Sequence, residues 1–123
     1  MFGLSEKDLK WNKLWDLWVE EKIESPFNEL MKYYSEINNG GHLQFFDNVS
    51  GNYNLDEVVK NIMSVLPEAL KENLETAYKI YLINPDDISD ENNLIIDGCD
   101  SFYYDNEDFV TEILKSRADK IKL

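Results

Sequence analysis

The sequence predicts an all-α protein, a single-domain bundle of five to six helices with a long acidic loop before the last helix. Apolar residues recur three and four positions apart through most of the chain, as they do on one face of an α-helix. Only 5 Gly and 3 Pro occur among 123 residues, too few for the many turns of an all-β fold. A hydrophobic fraction of 43% is enough for one core, so residues 1–123 are interpreted as one domain.

Helical periodicity places the first two helices. The first spans residues 5–24 with Ser5 as its N-cap, and the second begins in ESPFNELMKYYSEI, residues 24–37. In the second helix Ser25 is the expected cap and Pro26 the expected first helical residue. The apolar stripe of the first helix consists of Trp11, Leu14, Trp15 and Trp18. We interpret this stripe as core rather than as a binding site.

The rest of the chain is predicted to add the remaining helices. Asn54 is the expected N-cap of a helix over residues 55–66, and Pro67 begins a helical segment that ends near residue 82. The acidic loop is expected at INPDDISDENNLIIDGCD, residues 83–100. The last helix then spans about residues 105–121, and its core-facing residues are expected to be Phe109, Ile113 and Leu114.

The net charge limits the classes of partner. The chain has 25 Asp and Glu against 12 Lys and Arg, a formal net charge of −13. This argues against direct binding to nucleic acid, whose phosphates are bound mainly by Lys and Arg, and against an anionic membrane surface. It favours a basic protein as the partner. The first residues lack the pattern of a signal peptide and no apolar run approaches the ~18 residues of a membrane span, so we expect a cytoplasmic protein.

Negative charge is concentrated in one segment, because no Lys or Arg occurs between Lys79 and Lys115. The acids of this segment are Asp86, Asp87, Asp90, Glu91, Asp97, Asp100, Asp105, Glu107, Asp108 and Glu112. A second line lies at Asp16, Glu20 and Glu24, spaced four residues apart on the first helix. A surface that only maintained solubility would intersperse both signs, so we predict that these acids form a partner-binding face. The alternative is a mobile, solvated acidic loop.

The sequence offers few residues that an enzyme could use. The one His is His42 and the one Cys is Cys99, with no obvious catalytic triad, phosphate-binding loop or regularly spaced metal ligands. The oxygen-rich stretch NPDDISDENN lacks the ligand spacing of a calcium-binding helix–loop–helix. We therefore predict that the protein is not an enzyme and has no metal and no cofactor.

At INNGGHLQFFDNVSGN, residues 37–52, the sequence resembles a family of small acidic bacterial proteins typified by a DNA-mimic protein and otherwise largely uncharacterised. The motif residues that carry the resemblance are Asn39, Gly40, Gly41, Gln44, Phe45, Phe46 and Asn48. His42 departs from the apolar residue usual at its position, which suggests a more exposed side chain. The resemblance covers about residues 25–121. It implies an all-α fold, a homodimer, and carboxylates that stand in place of DNA phosphates to bind a DNA-binding protein.

The motif is interpreted as structural. Asn39 to Gly41 would turn the chain, Gln44 or Asn48 would satisfy exposed backbone groups, and the Phe45–Phe46 pair would fix the corner in the core. Replacing Gly41 by Val is expected to reduce stability by about 1 kcal/mol or more if φ is positive there.

Three functions remain open at this point. The first is a non-enzymatic DNA mimic that binds a basic protein, such as a DNA-binding regulator, through its carboxylates. The second is an immunity or antitoxin protein that binds one cognate toxin tightly through buried aromatic anchors. The third is a small-ligand-binding protein or hydrolase with a pocket behind His42.

Overall fold

Five α-helices make up the computed structural model, which describes residues 3–123. In chain order they are α1 (Glu6–Val19), α2 (Phe27–Ser50), α3 (Leu55–Met63), α4 (Glu68–Ile83) and α5 (Asp90–Ala118). No strand occurs among residues 3–123. The predicted all-α class and the predicted number of helices are confirmed.

Three helices begin at a capping side chain. The oxygens of Ser5, Asn54 and Ser89 each accept a hydrogen bond from the backbone N–H three residues ahead, at 3.1, 3.2 and 3.1 Å. Each bond satisfies one of the N–H groups that a helix leaves unpaired at its start. The caps predicted at Ser5 and Asn54 are confirmed, whereas the cap at Ser89 was not predicted.

The start of α2 differs from the prediction. Pro26 is the N-cap residue rather than the first helical residue, and it makes no side-chain cap. The hydroxyl of Ser25 donates to Oε1 of Glu29 at 2.6 Å and caps nothing. The first helix also ends at Val19, before residue 24, because the chain turns at Glu21, whose φ is 60°.

The long acidic loop is the largest correction to the predicted fold. The chain between α4 and α5 spans only residues 84–89, and residues 90–100 belong to α5. Negative charge is favourable in the first turn of a helix, where Asp90 and Glu91 lie. Ile96, Cys99 and Tyr103 then bury one helical face. The density of acids and the interior Gly98 concealed this periodicity in the sequence.

The core lies around α2 and α5, which contact each other and most of the other helices. Its largest fully buried side chains include Tyr33, Phe45, Phe46 and Tyr103. The three Trp side chains of α1 are partly buried against this core, and Trp15 packs 5.7 Å, ring centre to ring centre, from Tyr34. The interpretation of the Trp stripe as core is therefore confirmed. The burial of Phe45 and Phe46 is confirmed as well.

Helix α2 is interrupted at Gly40 and Gly41, as the Asn-Gly-Gly motif predicted. Gly40 has a φ of −163°, which any residue adopts, but Gly41 has a φ of 78°. A Cβ at Gly41 would lie 2.4 Å from Oδ2 of Asp100. Gly41 is thus required twice, for its backbone conformation and for the close approach of a carboxylate from α5. The helix resumes at once after this break and continues to Ser50.

Candidate partner-binding face on helix α5

Most of the predicted acids lie where a partner could reach them. The exposed ones are Asp86 and Asp87 before α5, Asp90 and Glu91 in its first turn, and Asp97, Asp105, Asp108 and Glu112 along it. Since residues 90–112 belong to one continuous helix, their backbone positions are set by that helix rather than by a mobile loop. The alternative of a mobile acidic loop therefore applies only to residues 84–89.

Two acids of the segment are only partly exposed, and each has one carboxylate oxygen turned into the bundle. Both Nδ1 and the backbone N–H of His42 donate to Oδ1 of Asp100, at 2.5 and 2.8 Å. The Oε2 atom of Glu107 is buried and has no hydrogen-bond partner among residues 3–123. Oδ1 of Asp100 thus binds α2, and the prediction that Asp100 and Glu107 face a partner stays a prediction.

The second predicted line, Asp16 to Glu24, does not form. Asp16 lies on α1, Glu20 caps its end, and Glu24 lies outside any helix. Nε and Nη2 of Arg117 donate to the two carboxylate oxygens of Glu24 at 2.7 and 2.8 Å. This pair holds the pKa of Glu24 below its usual value, chiefly through the hydrogen bond from Arg117. Glu24 thus joins α5 to the chain between α1 and α2.

Apolar side chains interrupt the acids on the solvent side of α5. We call this surface the α5 outer face. It consists of Leu94, Ile95, Gly98, Phe102, Asp105, Asp108, Phe109 and Glu112, all exposed. Phe109 was predicted to face the core, but 57% of it is exposed, and its neighbour Val110 is fully buried instead. Ile113 and Leu114, predicted with it, do pack on or within the core.

A buried polar group joins α2 and α5 on the opposite side. His42 has no exposed surface, so the prediction of a more exposed side chain is wrong. Its Nδ1 donates to Asp100, and its Nε2 lies 2.7 Å from the hydroxyl of Tyr33. Burial, with the negative charge of Asp100 nearby, raises the pKa of Tyr33, so the phenol stays neutral and can donate to Nε2. Every polar atom of the ring is then paired, as a buried imidazole requires.

The geometry around His42 does not resemble an open reaction centre. Two surface cavities measure about 560 and 340 Å³, and His42 lines neither. Burial, with Asp100 beside it, raises the pKa of Cys99, which disfavours the reactive thiolate. Among residues 3–123 no three His, Cys, Asp or Glu side chains are arranged to hold a metal ion. No observation among the described residues therefore supports the hypothesis of a pocket behind His42.

The polar residues of the Asn-Gly-Gly motif pair with a side chain rather than with the backbone. The amide nitrogens of Gln44 and Asn48 both donate to Oε2 of Glu36, at 3.1 and 2.7 Å. Glu36 lies before the break in α2 and the two amides lie after it, so these bonds link its two halves. Gln44 and Asn48 were expected to pair with backbone groups, and this expectation is corrected, because both amides bind the Glu36 carboxylate. The motif still has a structural role, since these bonds connect the two halves of α2.

The fold and this face define an all-helical protein in which the exposed side of α5 is acidic and partly apolar. The family model of DMP19-like protein matches residues 27–120, and the chain belongs to that family. The resemblance to a family of DNA-mimic proteins is thereby corrected, because the matching family is a different one. No curated protein and no solved structure matches the chain. No helix among residues 3–123 is long and apolar enough to cross a membrane.

Proposed function

We propose that the protein is a non-enzymatic, cytoplasmic binding protein whose partner is a basic protein, in particular one that binds DNA. The observation that carries this proposal is the rigid presentation of exposed carboxylates along α5, in a stretch of sequence without Lys or Arg from residue 80 to residue 114. Of the exposed acids on α5 only Glu112 has an ion-pair partner among the described residues, Lys115 at 4.0 Å. Carboxylates with so few basic neighbours produce a strong negative potential, which attracts a basic surface and accelerates association.

The dimensions of α5 are compatible with replacement of DNA. Carboxylates four residues apart on a helix are separated by a rise of about 6 Å. Phosphates of one DNA strand are separated by about 3.4 Å along the axis. Asp97, Asp105 and Asp108 lie eight and three residues apart, which corresponds to rises of about 12 and 4.5 Å, the scale of one to four phosphate steps along a strand. We propose that they take the place of some of the phosphates in a DNA-binding groove.

The experiment compares two variants of equal charge. The first neutralises four acids of α5: Asp97→Asn, Asp105→Asn, Asp108→Asn and Glu112→Gln. The control neutralises four exposed acids elsewhere: Glu57→Gln, Glu68→Gln, Glu72→Gln and Asp119→Asn. Each protein is immobilised, loaded with native host lysate at low salt and eluted by a salt gradient, and the eluted proteins are identified by mass spectrometry.

The expected result is one DNA-binding protein that elutes at moderate salt, is displaced by duplex DNA, and is lost with the α5 variant only. Equal retention by both variants would contradict the proposal, because the position of the charge would then be irrelevant. If salt but not duplex DNA displaced the bound protein, the proposal that this protein competes with DNA for its partner would be contradicted.

The exposed aromatic residues of α5 favour a second candidate, the immunity or antitoxin function. Phe102 and Phe109 are exposed on the same helix as the acids. Buried aromatic anchors dominate the affinity of tight protein complexes, and their contribution survives high salt. A single partner that stays bound in high salt would favour this candidate. The predicted homodimer stays a prediction, which sedimentation of the purified protein tests.

A further inference from the structure

Apolar side chains on α5 remain exposed although the core is well filled. The exposed fractions are 72% for Leu94, 40% for Ile95, 38% for Phe102 and 57% for Phe109. Single exposed apolar residues are ordinary, but a row of them on one helix is typical of an interaction surface. Nothing in the bundle requires an apolar residue at these positions, since Ile96, Tyr103 and Val110 already fill the core side of α5.

The spacing of these residues is that of a helix that pairs with another helix. Ile95, Phe102 and Phe109 lie seven residues apart, so they follow one line along α5. The positions three residues later in each heptad are Gly98, Asp105 and Glu112. In a two-helix seam both sets would face the partner helix. The line runs over 14 residues, about 21 Å at the rise of an α-helix.

Charge decides which helix can pair here. In a parallel pair a second copy of this chain would bring Asp105 and Glu112 close to the same carboxylates of its neighbour, and in any pair each copy carries a net charge of −13. Like charges at a seam destabilise it. A partner with Lys or Arg opposite these two acids, and with apolar residues opposite Phe102 and Phe109, is complementary in both respects.

Gly98 leaves space for such a partner. A Cβ added at Gly98 would have no atom within 4 Å, so the surface is open at this point. The gap lies between Ile95 and Phe102 on the same line. A large apolar side chain of a facing helix can enter it as a knob enters a hole.

We propose that the α5 outer face docks a basic amphipathic α-helix of the partner, with its apolar side against Ile95, Phe102 and Phe109 and its Lys or Arg residues against Asp105, Asp108 and Glu112. This rests on the proposed function, because it assumes a basic partner. The inference adds that the partner recognises the apolar stripe of α5 as well as its charge, and DNA has no such stripe.

The test uses two fluorescent peptides of 21 residues and identical Leu and Lys content. In the first, Leu follows a heptad pattern and forms one stripe, and in the second the same residues are permuted so that no stripe forms. Binding is measured by fluorescence anisotropy in low and in moderate salt. The protein is compared with Phe102→Ser/Phe109→Ser and with Val19→Ser, a control that removes an apolar residue 74% exposed on α1.

The wild-type protein is expected to bind the striped peptide at least tenfold more tightly than the permuted one. The double variant should lose this preference while binding the permuted peptide unchanged, and the Val19 control should keep it. Circular dichroism should show the same helix content in all three proteins, since the substituted side chains are exposed.

Equal affinity for both peptides would overturn the inference and leave the proposed function intact, because charge alone would then account for binding. A wild-type dimer that Phe102→Ser/Phe109→Ser dissociates in sedimentation would also overturn it, since a second copy would then be the occupant. Failure of the proposed function has a different signature, namely that neither peptide binds even in low salt.

Discussion

Replacing Gly41 by Ala tests how the Asn-Gly-Gly motif supports the fold. Gly41 has a φ of 78° and a ψ of −172°, a region that residues with a Cβ rarely adopt. Occupying such a region costs about 1–3 kcal/mol. The added Cβ would also lie 2.4 Å from Oδ2 and 2.9 Å from Cγ of Asp100. That carboxylate must therefore move away from His42.

The displacement of Asp100 adds to the backbone cost. Asp100 accepts two hydrogen bonds from His42, through the backbone N–H and through Nδ1. Hydrogen bonds to a charged group contribute about 1.5–3 kcal/mol each. Loss of one of them, together with the low end of the backbone cost, gives a destabilisation of about 3 kcal/mol.

The assay is urea unfolding followed by circular dichroism at 222 nm, with the adjacent Gly40 and the distant Gly98 as controls. Gly98→Ala is expected to stabilise α5 by about 0.5–1 kcal/mol, because its Cβ meets no atom within 4 Å. Gly40→Ala should cost less than Gly41→Ala, since φ is −163° there and the clash is with Gln44 rather than with a charged carboxylate. It should still cost some stability, because Gln44, including its Cβ 3.0 Å away, must shift. Gly41→Ala should also cost less in an Asp100→Ala background, where the carboxylate is absent. The reasoning is refuted if Gly41→Ala is no more destabilising than Gly40→Ala.

Three further substitutions test the contacts that join α5 to the rest of the bundle. Replacing His42 by Ala should lower the free energy of unfolding by about 3 kcal/mol, because it leaves a cavity and an unpaired Tyr33 hydroxyl; urea unfolding with a loss below 1 kcal/mol would contradict this. Replacing Tyr104 by Phe removes a 2.6 Å bond to a backbone carbonyl of α2 and should cost about 1 kcal/mol in the same assay. Replacing Glu24 by Gln breaks the pair with Arg117, and because the Glu24 carboxyl is 53% exposed the loss should stay below about 1 kcal/mol at pH 7. The pKa of Glu24 in the folded protein lies below 4.5, its ordinary value, so the stability difference between the two proteins should persist above pH 4.5 and vanish as the pH falls through the folded-state pKa. A stability difference that persisted in strong acid would show that the contact is not ionic.

The helices themselves follow from local sequence patterns. The periodicity of apolar residues and the side-chain oxygens of Ser5 and Asn54 are visible along the chain, and both caps are present in the structure. The break at Gly40 and Gly41 is equally local, because only glycine adopts the backbone of Gly41 readily. The prediction that residues 90–100 form a loop was wrong for a reason that also lies in the local sequence. Dense acids and a glycine such as Gly98 are typical of loops, but a helix that is capped and packed tolerates them.

Local sequence patterns could not predict which acids are free to bind a partner and which pair within the bundle. The pairing of Asp100 with His42 joins residues 58 positions apart, and that of Glu24 with Arg117 joins residues 93 apart. Neither spacing has a local signature. The apolar residues of the α5 outer face were not predicted to be exposed, for a related reason. Phe109 and Val110 are adjacent, and only the rotation of α5 against α2 and α4 decides which of the two is buried.

The sequence by itself therefore determined the all-α class, the helix starts at Ser5 and Asn54, the break in α2 and the concentration of negative charge. These are properties of short segments, for which backbone preference and periodicity suffice. The tertiary structure alone decided that His42 is buried, that Asp100 and Glu24 are engaged, and that Phe102 and Phe109 accompany the free acids on one face. The physical reason is that burial and ion pairing depend on how helices distant in sequence rotate against one another, and this orientation is set by the packing of the whole core.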